Sequence, residues 1–136
     1  MSMGIGALAK LVLQDDQIVI YEYGGFNWNL EEYKNLEYKK DGLIIIEKTC
    51  FAKPEILQKI KKLPSGRKKR ILKKVKVGVD YGKMIEDGRI EVQNCSNCWR
   101  KYGEKDIDIM ACRILFKLFN QYQEDDKIPE NIFILT

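Results

Sequence analysis

Cys95 and Cys98, separated by Ser96 and Asn97 in the segment NCSNCW, are the residues whose types and spacing come closest to a chemical site. A turn of this length can aim two thiolates at one tetrahedral zinc ion, at about 2.3 Å each. A closed zinc site needs two more ligands, and the chain offers no histidine and only two further cysteines at distant positions. The sequence therefore predicts no metal site and no cofactor, with zinc on Cys95 and Cys98 as an alternative.

The same cysteine pair could instead exchange electrons. Redox pairs of this spacing usually begin a helix, whose dipole lowers the pKa of the first thiol. Here residues 99–105, WRKYGEK, separate Cys98 from the predicted long helix, although Arg100 and Lys101 would favour a thiolate. A single nucleophilic cysteine normally needs a histidine base, and the chain has none. Two free thiols in a turn after a strand is the favoured interpretation, and dithiol chemistry is the alternative.

Other catalytic patterns are lacking in the sequence. Its neighbouring carboxylates fall at expected turns, loops and helix ends, and there is no glycine-rich phosphate loop. We therefore expect a non-enzymatic protein.

Basic residues are concentrated in one stretch, residues 59–76, which contains ten lysines and arginines and no acidic residue. The remainder of the chain has 14 basic and 20 acidic residues, a net charge of −6. Such a segment attracts phosphates or acidic protein surfaces. The residues expected to bind a macromolecule are Lys61, Lys62, Arg67, Lys68, Lys69, Arg70, Lys73, Lys74 and Lys76.

Two kinds of partner fit this charge. An acidic or charge-complementary protein is favoured, because no helix-turn-helix, zinc finger or RNA-binding signature is recognisable. A nucleic-acid-binding module is the alternative. The lysines could also belong to a solvent-exposed strand edge that binds no partner. Bacterial immunity and regulatory proteins share this size and this lack of catalytic residues, so the analogy is with these classes of protein.

Aromatic residues gather between Tyr21 and Tyr38, around Gly24-Gly25. Aromatic side chains beside glycines can stack on bases or sugars, or anchor a protein interface. Tyr23, Phe26 and Trp28 are the candidates for such a platform. Packing at the end of the core is the more common role of large aromatic residues.

Strand patterns dominate the first 50 residues. LVLQDDQIVIYEY, residues 11–23, has two β-rich runs around a polar turn, which is typical of an antiparallel hairpin. We expect Gly24-Gly25 to break the second strand and residues 26–41 to form mainly a loop. Asp41-Gly42 then leads into a third strand near residues 43–49.

Two helices are predicted. Pro54 suits the first position of a short helix, whose apolar residues would be Ile56, Leu57, Ile60 and Leu63 and which would stop at Pro64-Ser65-Gly66. A long helix is predicted from Asp106 to Glu124, because its apolar residues keep the i, i+3, i+4, i+7 spacing. Three more apolar residues lie beside that stripe, Ile109, Cys112 and Phe116. We expect the long helix to be covered on a second side, by another element or by a second subunit in a homodimer.

Three further strands complete the predicted order β-β-β-α-β-β-α-β. They are the alternating stretch Val75 to Val79, the segment RIEVQ after Asp87-Gly88, and NIFILT at the end. This order predicts an α+β fold: a mostly antiparallel sheet with one long C-terminal helix and one shorter helix packed on it.

The length of 136 residues predicts a single globular domain, 1–136, large enough to fold without disulfides. We expect no secretory leader, because no basic segment precedes the first apolar run, and no myristoylation, because Gly does not follow Met1. The longest apolar runs are only strand-sized, so no membrane partner is expected. Four cysteines without an export signal favour free thiols and a cytoplasmic location.

Overall fold

The computed structural model describes residues 4–34 and 39–135 of the chain, so Tyr38 and part of the 26–41 loop lie outside the described residues. Within these two ranges, nine strands and two α-helices follow one another in the order β1 (Ile5–Gln14), β2 (Ile18–Asn27), β3 (Gly42–Glu47), β4 (Glu55–Lys62), β5 (Lys68–Val75), α1 (Tyr81–Glu86), β6 (Ile90–Gln93), β7 (Lys101–Tyr102), β8 (Ile107–Asp108), α2 (Ile109–Asp125) and β9 (Asn131–Leu135). Short 3-10 turns occupy Glu31–Tyr33 and Lys48–Cys50.

A five-stranded antiparallel sheet, in the order β6-β3-β2-β1-β9, forms the centre of the fold. The predicted hairpin is confirmed as β1 and β2, and the carboxylate of Asp15 shapes its turn by accepting hydrogen bonds from the backbone N–H groups of Gln17 and Ile18, both at 2.8 Å. Strands were also predicted correctly at β3, β6 and β9. Short runs rich in apolar and β-branched residues, bounded by turn residues, are sufficient to indicate these strands.

Helix α2 packs its predicted apolar stripe on the sheet. Most of that stripe is buried: Met110, Ala111, Ile114, Leu115, Leu118 and Phe119. The helix begins three residues later than predicted because Asp108 is its N-cap, accepting a hydrogen bond from the Met110 N–H at 3.0 Å. The fold is therefore mixed α and β with mostly antiparallel sheets and a long helix near the end of the chain.

The prediction of a short helix from Pro54 to Leu63 is wrong. Residues Glu55–Lys62 form strand β4, which pairs with β5 in a separate two-stranded sheet. The spacing of Ile56, Leu57 and Ile60 fits a helix, but a hydrogen-bonded partner strand follows after a tight turn. The strand expected at residues 75–79 lies earlier in the chain, because pairing with β4 places β5 at Lys68–Val75. The short helix of the structure is α1, which begins after Asp80 instead.

The break expected at Gly24-Gly25 is also wrong, because β2 continues through both glycines to Asn27. Gly24 pairs with Leu8, and Gly25 pairs with Ala7. A Cβ on Gly24 would lie 2.0 Å from the carbonyl oxygen of Lys39, so only glycine lets that backbone cross the strand so closely.

Among the described residues, no helix combines the length and the apolar character that crossing a membrane requires.

Candidate functional site

The basic segment forms a protruding β-hairpin, called here the basic ribbon (residues 55–75). It is hydrogen-bonded to no strand of the five-stranded sheet. Every residue of β4 is exposed, and every residue of β5 except the half-buried Val75 is exposed too. Two strands of eight residues extend for about 25 Å at about 3.3 Å per residue. The ribbon therefore presents both of its faces to solvent.

The turn of the basic ribbon explains why these residues form a hairpin. Pro64 and Ser65 occupy the central positions of a β-turn closed by a hydrogen bond of 2.9 Å from the N–H of Gly66 to the carbonyl of Leu63. Gly66 has φ +83°, a conformation that favours glycine and is typical of a hairpin with a bulge after its turn. The N–H of Leu63 donates to the carbonyl of Arg67 at 2.7 Å and starts the ladder.

Each face of the basic ribbon combines aliphatic and cationic side chains. On one face, Ile56, Leu72 and Ile60 are diagonal neighbours, and Lys74 and Arg70 lie directly opposite the two isoleucines. These aliphatic side chains are 69%, 64% and 65% exposed. On the other face, the corresponding aliphatic residues are Leu57, Ile71 and Val75, with cations beside them at Lys59 and Lys73.

The tip of the basic ribbon is cationic on both faces. Lys61 lies opposite Lys69, and Lys62 lies opposite Lys68. Like charges that face each other across two strands repel and destabilise the pair. Among the residues that the structure describes, no acidic side chain forms an ion pair with any of these four lysines.

Two of the nine predicted binding residues lie at the base of the ribbon and have partners within the chain. Lys74 donates a hydrogen bond of 2.9 Å to the carbonyl of Glu124 and forms an ion pair of 3.5 Å with Asp126. Lys76 is hydrogen-bonded to the carboxylate of Glu124, and this bond lowers the pKa of Glu124. These two lysines hold the ribbon to the C-terminal end of α2, so they are less available to a partner.

The other seven predicted residues form no ion pair with any part of the chain that the structure describes: Lys61, Lys62, Arg67, Lys68, Lys69, Arg70 and Lys73. All seven lie on the ribbon or its turn and are exposed. The structure therefore brings these cations together on one projecting element.

The cysteine pair lies beside a buried carboxylate. Asp108 is 1% exposed and accepts hydrogen bonds from Tyr23 Oη at 2.9 Å and from Cys95 Sγ at 3.4 Å. The N–H of Cys95 donates to the same tyrosine oxygen at 3.0 Å. Cys95 thus acts as a buried donor in a polar network that ties the segment after β6 to the start of α2.

Both thiols of the pair resist ionisation. Burial, followed by the charge of Asp108, raises the pKa of Cys95 to about 12 and that of Cys98 to about 11. A reactive thiolate is favoured by the opposite shift. Within the described residues, no three or more cysteine, aspartate or glutamate side chains are arranged to hold a metal ion, and all four cysteines are free.

The three residues predicted as an aromatic platform do not share an exposed surface. Tyr23 is 0% and Phe26 is 1% exposed, so neither can be reached by a ligand. Trp28 is exposed and stacks on Phe26 with ring centroids 5.0 Å apart. Two of the three candidates are thus core residues. Tyr23 lies in the strand where the sequence placed it, and β2 continues through Phe26, where the sequence suggested a loop.

Sequence reasoning missed the aliphatic half of the ribbon surface. The spacing of Ile56, Leu57 and Ile60 predicts apolar positions of a helix, whereas the structure places them exposed on β4. Two runs rich in lysine and isoleucine, on either side of a five-residue segment containing Pro and Gly, are the signal that could have indicated a hairpin.

Comparison of this chain with known proteins identified no relative. No family model, no curated protein and no solved structure gives a significant match.

Proposed function

We propose that this protein binds the acidic surface of a partner protein through the basic ribbon, without catalysing a reaction. The observation that carries the proposal is the ribbon tip, where two facing lysine pairs have no ion-pair partner among the described residues. Carboxylates of a partner would remove the repulsion between these lysines. Binding would therefore stabilise the ribbon as well as the complex.

The aliphatic residues favour a protein over a nucleic acid as the partner. Ile56, Ile60 and Leu72 form a contiguous exposed stripe on one face of the ribbon. Protein interfaces bury such side chains in their centre and place charges around them. Phosphates offer the cations a partner but offer the aliphatic stripe none.

A nucleic acid remains the second candidate because of the shape of the ribbon. The major groove of B-DNA admits a two-stranded β-ribbon, and lysines at its tip and edges would neutralise phosphates. This candidate uses the cations of the ribbon and not its isoleucines, which makes the two candidates separable by mutation.

Three sets of substitutions test the proposal. The first reverses charge on the ribbon (K68E, K69E and R70E), and the second removes aliphatic side chains (I56S, I60S and L72S). The third, a control, makes the same charge change at Lys10, Lys53 and Lys127, which are exposed and lie outside the ribbon. The wild-type protein and the three variants are each used to capture proteins quantitatively from lysate of the native cell. Their binding of short single- and double-stranded DNA and RNA is measured by fluorescence anisotropy.

We expect one or a few acidic proteins to be captured by the wild-type and control proteins and to be lost with either ribbon set. Purified partner and wild-type protein should then bind directly, with an affinity that falls as salt increases. Nucleic-acid binding that the charge reversal abolishes and the serine substitutions leave unchanged would instead establish the second candidate. Captured proteins that are identical for all three sets, together with nucleic-acid binding that the charge reversal does not weaken, would refute both candidates.

A further inference from the structure

A groove of about 770 Å³ lies along the face of α2 opposite its buried stripe. Its floor is formed by Ile109, Cys112 and Phe116 of α2. Three other elements supply its walls, with Tyr81 from α1, Tyr102 from β7 and Ile134 from β9. The second side of α2, expected from the sequence to be covered, is therefore left open by the described part of the chain.

Most of the side chains that line the groove are apolar. Phe116 is 62% exposed and Tyr102 is 70% exposed, although both are large aromatic residues. Burial, with a smaller effect from Asp108, raises the pKa of the Cys112 thiol, which therefore stays protonated at neutral pH. An apolar molecule placed here would remove much of this surface from water, which favours binding.

Two cations lie beside the apolar floor, and the described residues that line the groove include no acidic one. Arg113 and Lys117 are four residues apart, so they project from successive turns of α2 on the same side. The ammonium group of Lys117 donates to the carbonyl of Phe133, which places it near β9. Arg113 has no ion-pair partner among the described residues. An anion bound at this side of the groove would form an ion pair with the guanidinium group of Arg113.

We infer that the groove binds a small amphipathic anion, with an apolar chain or ring system on Ile109, Cys112 and Phe116 and a carboxylate at Arg113 and Lys117. The volume lies within the range of about 300–1,000 Å³ that is usual for small-molecule sites. An apolar body and one anionic head match the two kinds of surface that the groove places side by side. This site is separate from the basic ribbon and does not depend on the function proposed for the ribbon.

Decanoate and decan-1-ol are suitable probes, because they have the same chain length and only decanoate is charged. Each is titrated, below its micelle concentration or solubility limit, into the full chain while amide chemical shifts are followed by NMR. Arg113→Gln removes the cation of the groove, and Arg67→Gln is the matched control on the ribbon. Cys112→Trp fills the floor, and a denaturation curve checks that this variant remains folded.

We expect saturable shifts centred on residues 109–120, with decanoate bound about tenfold more tightly than decan-1-ol. Arg113→Gln should remove that tenfold preference and leave the affinity for decan-1-ol unchanged, and Arg67→Gln should have no effect. Cys112→Trp should weaken both ligands. These results together would distinguish a groove for an amphipathic anion from a merely apolar surface.

Three results would overturn the inference. The first is equal affinity for the two probes that Arg113→Gln does not alter. The second is a dimer, detected by sedimentation, that excludes both probes and is dissociated by Cys112→Trp, since the groove would then be the contact between two copies. The third is the absence of decanoate binding together with tight binding of an acidic amphipathic peptide, which would make the groove a peptide site.

Discussion

The side-chain amide of Gln123 pairs with the backbone of Val77 through two hydrogen bonds, each of 2.7 Å. The amide nitrogen donates to the Val77 carbonyl, and the amide oxygen accepts from the Val77 N–H. Gln123 is 2% exposed, so water cannot readily replace either bond. The pairing fixes the segment that leaves the basic ribbon to the C-terminal part of α2.

Replacing Gln123 by leucine should lower the free energy of unfolding by about 1–3 kcal/mol, because the N–H and C=O of Val77 lose their partners. Urea denaturation measures the loss, and hydrogen exchange should show reduced protection at Val77. Gln121→Leu is the control, because the Gln121 side-chain oxygen is buried without a hydrogen-bond partner among the described residues. Equal losses for the two variants would contradict the proposed role of Gln123.

Gly24→Ala should destabilise the protein by about 1–3 kcal/mol, because the new Cβ on β2 would collide with the carbonyl oxygen of Lys39. Gly78→Ala is a matched control, since a Cβ at Gly78 has no neighbour within 4 Å. Thermal or urea denaturation of the two variants provides the comparison. A Gly24→Ala protein as stable as the control would mean that the contact with Lys39 is not maintained in solution.

The stability of the protein should decrease as the pH rises above about 9. Burial raises the pKa of Cys98 to about 11 and that of Cys95 to about 12, from 9.0 for an ordinary thiol. The folded state therefore holds protons that the unfolded state releases, and this stabilisation is lost as the pH passes through the folded pKa values. Burial also raises the pKa of Tyr21 and Tyr23.

Urea midpoints measured between pH 7.5 and about 11 test this dependence. Cys98→Ser should show a shallower decrease, because one of the contributing groups is removed.

Asp108→Asn should allow Cys98 to react with iodoacetamide at lower pH than in the wild type, since the carboxylate charge no longer opposes the thiolate. An alkylation profile for Cys98 with a midpoint near pH 9 in the wild type would show that the thiol is not shielded.

Ile60→Thr should change the free energy of unfolding by less than about 0.5 kcal/mol, because Ile60 is 65% exposed and threonine keeps the β-branched shape that suits a strand. Leu115→Ala, at a fully buried position of α2, should cost about 2–5 kcal/mol in the same assay. A loss above about 1 kcal/mol for Ile60→Thr would indicate that the ribbon packs against another surface in the isolated protein.

Local patterns were sufficient to predict most of the central sheet and the long helix. Alternation in β1 and β2, and the i, i+3, i+4, i+7 spacing in α2, reflect burial on one side of an element, which neighbouring residues reveal. The same reasoning failed for β4. Its isoleucines and leucine fit a helical spacing, and their true environment depends on pairing with β5 and on the absence of a covering layer.

The predicted binding residues were recoverable as a group for a similar reason. A run of cations is visible in sequence, so eight of the nine residues fall on the ribbon once the hairpin is known. The partners of Lys74 and Lys76 lie about 50 residues further along the chain, at the end of α2. No local pattern indicates a contact of that separation.

By itself, the sequence determined the charge segregation, the mixed class of the fold and the strands and helix whose periodicity is local. Tertiary structure decided which apolar residues are buried: it placed Tyr23 and Phe26 in the core and left Ile56, Ile60 and Phe116 exposed. The physical reason is that burial depends on which surfaces meet after the chain folds, and a residue's hydrophobicity does not specify its partner.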